Sequence, residues 1–198
     1  MERVILTIKV FASILVVVVL LTFTSCSNKD GNSYNLQAKV DSLQIELKKF
    51  KDEKALTEMR LVRFDSLDFD FYSNQDWKNF NISHADDIKV YYPDGLITKG
   101  LAPQHIDMLT PMFVFAPDTK IKKHPVRFGS GDWTCVIGEM EGTFSKPMPI
   151  GNGKTIPPTN KKFKLSMATI GQWKDGKMVA EYLFWDNQSF MKQIGLAN

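Results

Sequence analysis

Asp186 is the residue in this sequence best placed to move a proton, because of the strand that leads to it. From Met178 the side chains alternate, so that Met178, Ala180, Tyr182, Phe184 and Asp186 share one face while Val179, Glu181, Leu183 and Trp185 share the other. A carboxylate closing an apolar stripe loses hydration, which raises its pKa toward values useful in acid–base chemistry. The position also suits a helix N-cap, accepting from the first turn of a helix over Ser189 to Ile194, and both readings stand. His105 is the second catalytic candidate. It shares a helical stripe with Leu101, Met108 and Met112, and it reads either as a pocket acid, base or donor or as a hydrogen-bonded core histidine. Trp77, Tyr92, Met108, Trp133, Met167, Tyr182 and Phe184 are the expected pocket wall.

The other chemistry-bearing residues are read more plainly. His84, beside Ala85-Asp86-Asp87, is expected to be exposed at a helix-to-strand junction. His124 precedes Pro125, which places it on an edge strand or bulge within reach of solvent. No histidine pair has metal-ligand spacing, so no metal site is expected. Gly151-Asn152-Gly153-Lys154 lacks the remaining positions of a phosphate-binding loop and reads as a turn. Cys135 has no disulfide partner if Cys26, the other cysteine, is acylated, and it reads as an inert, half-buried thiol.

These side chains need elements to hold them. Leu36, Val40, Leu43, Leu47 and Phe50 recur at spacings of four and three, which predicts a short coiled-coil-like stalk helix over 36–54, either a spacer or a weak dimerisation seam. Helix continues over Ala55 to Tyr72, and a short helix opens at Asn74. A strand spans Asp87 to Tyr92, with a turn at Pro93-Asp94-Gly95. A helix begins near Pro103 and is kinked or ended by Pro111. Four strands follow, Ile121 to Phe128, Trp133 to Phe144, Phe163 to Trp173 and Met178 to Asp186, the last two joined by a tight turn at Asp175-Gly176. Helices first and strands after argue for an α+β fold with helices on one face of a curved antiparallel sheet. Which face of the Trp133 strand lines a cavity is left open by the pattern.

At 198 residues, 43% of them hydrophobic, the chain has room for one globular domain and an appendage. The formal charge of +3 is not gathered into a stripe, which argues against a nucleic-acid partner. Arg3 and Lys9 precede the apolar run Val10 to Leu21, and Thr24-Ser25-Cys26 closes it: a secretory signal peptide over 1–25. Phe23-Thr24-Ser25-Cys26 resembles the lipobox of bacterial lipoproteins, which implies acylation of Cys26, a polar tether over 26–35 and attachment to a membrane of the bacterial cell envelope, periplasmic or outer.

Five short motifs then occur in one order: Gly131-Asp132-Trp133-Thr134, Glu141-Gly142-Thr143-Phe144, Ile156-Pro157-Pro158-Thr159, Asp175-Gly176-Lys177-Met178-Val179, and Asp186 followed by Gln193-Ile194-Gly195. Together they resemble the SnoaL-like ester cyclases of the nuclear transport factor 2-like superfamily, over roughly Ala55 to Leu196. The resemblance implies a cone-shaped α+β barrel with about three helices over a strongly bent sheet, often a homodimer, around a deep apolar pocket. It also implies a cofactor-free aldol-type ring closure in catalytic members, with Asp186 as the pocket acid and base. Thr159-Asn160-Lys161 and Glu181-Tyr182-Leu183 depart from the family's Thr-Gly-Arg and Glu-His-Trp or Glu-Glu-Trp. The expected function is therefore a lipid-anchored pocket protein for an apolar small molecule. The alternatives are an acid–base enzyme of cyclase, isomerase or hydrolase type using Asp186, and a dimeric envelope scaffold.

Overall fold

Helix formers without an interrupting proline carry a single helix, α1 (Asp30–Ser66), through most of the region that the sequence divided into tether, stalk and core helix. This computed structural model describes residues 30–197; the expected signal peptide and the lipidated Cys26 lie outside them. The polar stretch from Asp30 to Asn35 is helical rather than a flexible tether, since propagation from a long formed helix costs little. The chain divides into two units, Met1–Lys49 and Phe50–Asn198. In the first, the stalk seam residues Leu36, Val40, Leu43 and Leu47 are exposed.

The second unit holds the domain. Leu61 and Phe64 of α1 are buried, and a π-type turn (Leu67–Phe71) and a 3-10 turn (Tyr72–Asn74) prolong that helix. A further 3-10 turn, Trp77–Ile82, takes the place of the helix expected from Asn74. After a kinked segment at Leu101–His105, extended at Ala102, comes α2 (Ile106–Phe115), and α3 (Asn187–Gln193) closes the described chain. Pro111 neither ends nor replaces α2. The helix runs on to Phe115 because Phe113 and Phe115 are buried, and the Thr110 hydroxyl donates to Ile106 O at 2.9 Å beside the bond that proline removes.

The strands are β1 (His84–Tyr91), β2 (Ile97–Lys99), β3 (Lys120–Ile121), β4 (Val126–Ser130), β5 (Trp133–Thr143), β6 (Met148–Pro149), β7 (Thr155–Ile156), β8 (Lys162–Lys174) and β9 (Lys177–Trp185). The main sheet runs β2-β1-β9-β8-β5-β3, with β4 also on β5; β6 and β7 form a separate hairpin. Every pairing is antiparallel except β1 with β9, which is parallel. The end strands β2 and β3 do not pair with each other, so the fold is α+β with an open sheet rather than a closed barrel. The strand expected over Ile121 to Phe128 is interrupted between β3 and β4, where Pro125 withholds a donor.

Two registers set what faces inward. Along β5, Thr134, Val136 and Met140 are buried, so Trp133, Cys135 and Ile137 belong to the outer face. Between β8 and β9 the turn at Asp175 (φ 50°) and Gly176 (φ 78°) has the left-handed geometry expected of it. Trp173 then pairs with Met178, but Gln172 pairs with Ala180, which leaves Val179 as an extra residue. That β-bulge reverses the parity of the strand: Met178 is interior before it, and Glu181 and Leu183 are interior after it.

Candidate active site

One cavity in this unit has a volume of about 340 Å³ and lies between the helices and the inner face of the sheet. Its walls are largely apolar, with Leu67, Phe80, Met112, Met140, Leu165 and Leu183 among them. Against them stands one cluster of polar groups. Glu181 is brought in by the bulge of β9; His84 opens β1 directly after the 3-10 turn; His105 ends the turn before α2. All three are buried, at 5%, 1% and 2% exposure, and all three line the cavity.

Each imidazole is held from its far side. His84 Nδ1 lies 3.2 Å from Phe80 O and 3.0 Å from Ser83 Oγ, and its ring stacks on Phe80 at 5.4 Å. His105 Nδ1 lies 2.8 Å from the Tyr92 hydroxyl. Both Nε2 atoms turn toward Glu181 Oε2, at 3.8 Å from His84 and 3.4 Å from His105. Burial opposes the charged form of His105, more than the nearby Glu181 carboxylate favours it, and pushes its pKa down to about 4. Burial also works against ionised Glu181, but the two imidazoles outweigh it and hold that carboxyl below its ordinary value. Tyr92 is held up to about 12, mainly by burial, so its hydroxyl keeps its proton.

A second carboxyl lines the same cavity. Asp68 is 7% exposed, and its Oδ2 lies 2.8 Å from His124 Nε2; His124 Nδ1 lies 2.7 Å from Asp65 Oδ1, and Arg127 donates to Asp65 Oδ2 at 2.6 Å. Burial raises the Asp68 pKa, and the hydrogen bond and charge of His124 offset this only in part. The His124 side chain is therefore buried in an ionic network, not open to solvent as its position before Pro125 suggested.

The structure sorts the residues singled out by sequence. His105, Tyr92, Met108 and Met167 line the cavity. Asp186 does not: it is exposed, and its Oδ1 accepts from Ser189 N at 2.9 Å as the N-cap of α3. Trp77 packs instead against Tyr72, Phe80 and Phe113. Trp133, Tyr182 and Phe184 lie on the outer face, where Tyr182 stacks on Tyr91 with ring centroids 4.3 Å apart. The bulge at Val179 puts Tyr182 and Phe184 there, since a strict alternation would have turned them inward. His84, expected to be exposed, is buried. Cys135 is half-buried, and burial raises its thiol pKa.

The sequence profile of the SnoaL-like polyketide cyclases matches residues 66–194, a span that includes every cavity residue named above. The chain belongs to the SnoaL-like polyketide cyclase family. Among solved structures, this SnoaL-like chain is similar to a putative SnoaL-like polyketide cyclase from Jannaschia sp. CCS1, with 16% identity, a TM-score of 0.61, and coverage of 72% of this chain and 96% of that one. It is similar also to IdmH, a putative polyketide cyclase from Streptomyces antibioticus, with 19% identity, a TM-score of 0.58, and coverage of 69% and 98%. A hypothetical protein with a ketosteroid isomerase-like fold from Catenulispora acidiphila, solved with trimethylamine, matches at 12% identity and a TM-score of 0.54 over 71% of this chain and 95% of that one. No curated protein matches the chain. These likenesses establish the SnoaL-like fold, which supports a small-molecule-binding or cyclase-type function.

Sequence reasoning missed Glu181, His84 and Asp68. One signal for Glu181 was present: it is the only charged residue between Met178 and Trp185, a run apolar on both faces. His84 and Asp68 gave none, because their burial depends on contacts with distant parts of the chain.

Proposed function

We propose that the cavity binds an apolar small molecule carrying one polar group, such as a carbonyl or hydroxyl, and that the protein does this while anchored to an envelope membrane through lipidated Cys26. The observation that carries the reading is the contrast inside one cavity of about 340 Å³: extensive methionine, leucine and phenylalanine walls, and a polar cluster of Glu181, His84, His105 and Tyr92 to orient the ligand. That volume lies within the range of small-molecule sites, and a few convergent polar groups on apolar walls are their common design. Native mass spectrometry of the full chain, extracted from the membranes of its own host in mild detergent, tests it. A co-purifying apolar compound should be present in the wild type and lost from Leu165→Trp, which fills the cavity. A compound retained by that variant would place its site elsewhere.

Asp68 favours a second reading, an acid–base enzyme of cyclase, isomerase or hydrolase type. It supplies what the sequence assigned to Asp186, a carboxyl with its pKa raised by burial, inside the cavity rather than outside it. In that reading Asp68→Asn abolishes turnover of the bound compound while leaving its binding in place.

A further inference from the structure

The expectation of no metal site rested on spacing along the chain, and the fold brings together what that spacing kept apart. His84, His105 and Glu181 each offer one ligand atom, all within 4.8 Å of one another, and all three residues are buried. If the cluster were a hydrogen-bonded ion pair, an imidazole N–H would donate to the carboxylate at about 2.7–2.9 Å. The separations are 3.4 and 3.8 Å, and neither His84 Nε2 nor Glu181 Oε2 has a hydrogen-bond partner among the described residues. Two buried polar atoms left in that state are costly, and they are aimed at a common point.

The two histidine–glutamate separations are close to those of side chains that share one ion. Zinc holds nitrogen and carboxylate oxygen at about 2.0–2.2 Å, which puts neighbouring ligand atoms of a tetrahedral site about 3.3 Å apart. The far sides of the ligands are prepared as well. Metal-binding histidines nearly always place the other ring nitrogen on a carbonyl or similar acceptor, which fixes the tautomer and the ring orientation. Here His84 Nδ1 faces Phe80 O and His105 Nδ1 faces the Tyr92 hydroxyl.

We propose that His84 Nε2, His105 Nε2 and a Glu181 carboxylate oxygen bind one divalent first-row transition ion of the zinc type, with its open coordination positions facing the cavity. Two histidines and a glutamate with an open position are a ligand set of catalytic rather than structural zinc sites. An ion there would offer a ligand's carbonyl or hydroxyl oxygen a direct bond, so the inference adds to the small-molecule reading without depending on it. The protein side chains alone hold the ion.

The test uses the tag-free full chain, stripped with a chelator, dialysed and titrated with zinc chloride in a calorimeter. One zinc per chain is expected. Glu181→Gln and His105→Gln should each weaken binding more than about 100-fold with an unchanged circular dichroism spectrum, and Glu141→Gln, at an exposed carboxylate, should bind as the wild type does. Tyr92→Phe removes only the outer partner of His105 and should cost about 10- to 100-fold. Cobalt(II) gives a readout that needs no variant: the wild type should develop the intense visible bands of a four- or five-coordinate ion. Absence of stoichiometric zinc binding, only the weak spectrum of hydrated cobalt, or wild-type affinity in folded Glu181→Gln and His105→Gln would each overturn the proposal. None of these results bears on whether an organic compound co-purifies.

Discussion

Asp186 and His124 show how far a side chain's neighbours govern what it does. Asp186 accepts the Ser189 N–H at the start of α3. Asp186→Ala should therefore lower stability by about 0.5–2 kcal/mol, the usual cost of an N-cap, with no effect on occupancy of the cavity; urea unfolding and native mass spectrometry check the two halves of that statement. His124 sits between Asp65 and Asp68, with Arg127 bonded to Asp65. Its burial opposes protonation, but the two carboxylates outweigh it and raise its pKa above the ordinary 6.5. The native chain thus holds this proton more tightly than the unfolded one. Its contribution to stability is complete below pH 6.5 and is lost as pH rises through the native value. Asp68, whose pKa is also raised, acts in the same direction, with its loss beginning from 3.8. The urea midpoint of the wild type should fall as pH rises above 6.5, and His124→Gln should flatten that fall.

At the scale of elements, strand β5 explains why part of the interior was readable. Its alternation is regular, so its division into two faces is plain from sequence and only the choice of inner face was missing; the buried Thr134, Val136 and Met140 supply it. The Asp175-Gly176 turn and the extents of β5, β8 and β9 were legible for the same reason, that their signals are local. Strand β9 was legible as a strand but not as a surface. A bulge has no local signature in Lys177-Met178-Val179-Ala180, and past it every inward assignment changes sides, so that the apparent catalytic face became the outer one. The histidine cluster was illegible because its members meet only when β1, the segment before α2, and β9 assemble. The sheet also has little slack where strands cross close neighbours. A Cβ on Gly142 would meet the Phe163 ring at 2.8 Å and Thr119 Oγ1 at 3.0 Å. Gly142→Ala should cost about 1–3 kcal/mol by overpacking, read as a lower thermal midpoint.

For the whole molecule, the proposed anchor and the cavity domain make separable predictions. If Cys26 carries the proposed acyl chains, Cys26→Ala should move the protein from the membrane pellet to the soluble fraction after cell breakage. The cavity domain, Phe50–Asn198, should still hold its compound in that soluble form. The bulge at Val179 has a further consequence for how such a domain can diverge. It makes the identity of the cavity wall depend on the backbone's path rather than on composition alone. With the bulge, β9 presents Glu181 and Leu183 to the interior; the same residues run as a regular strand would present Tyr182 and Phe184. Straightening of the bulge would thus exchange an acidic wall for an aromatic one without any substitution, whereas loss of Val179 itself would keep Glu181 inside, so divergence at this wall runs through the bulge and not through strand length.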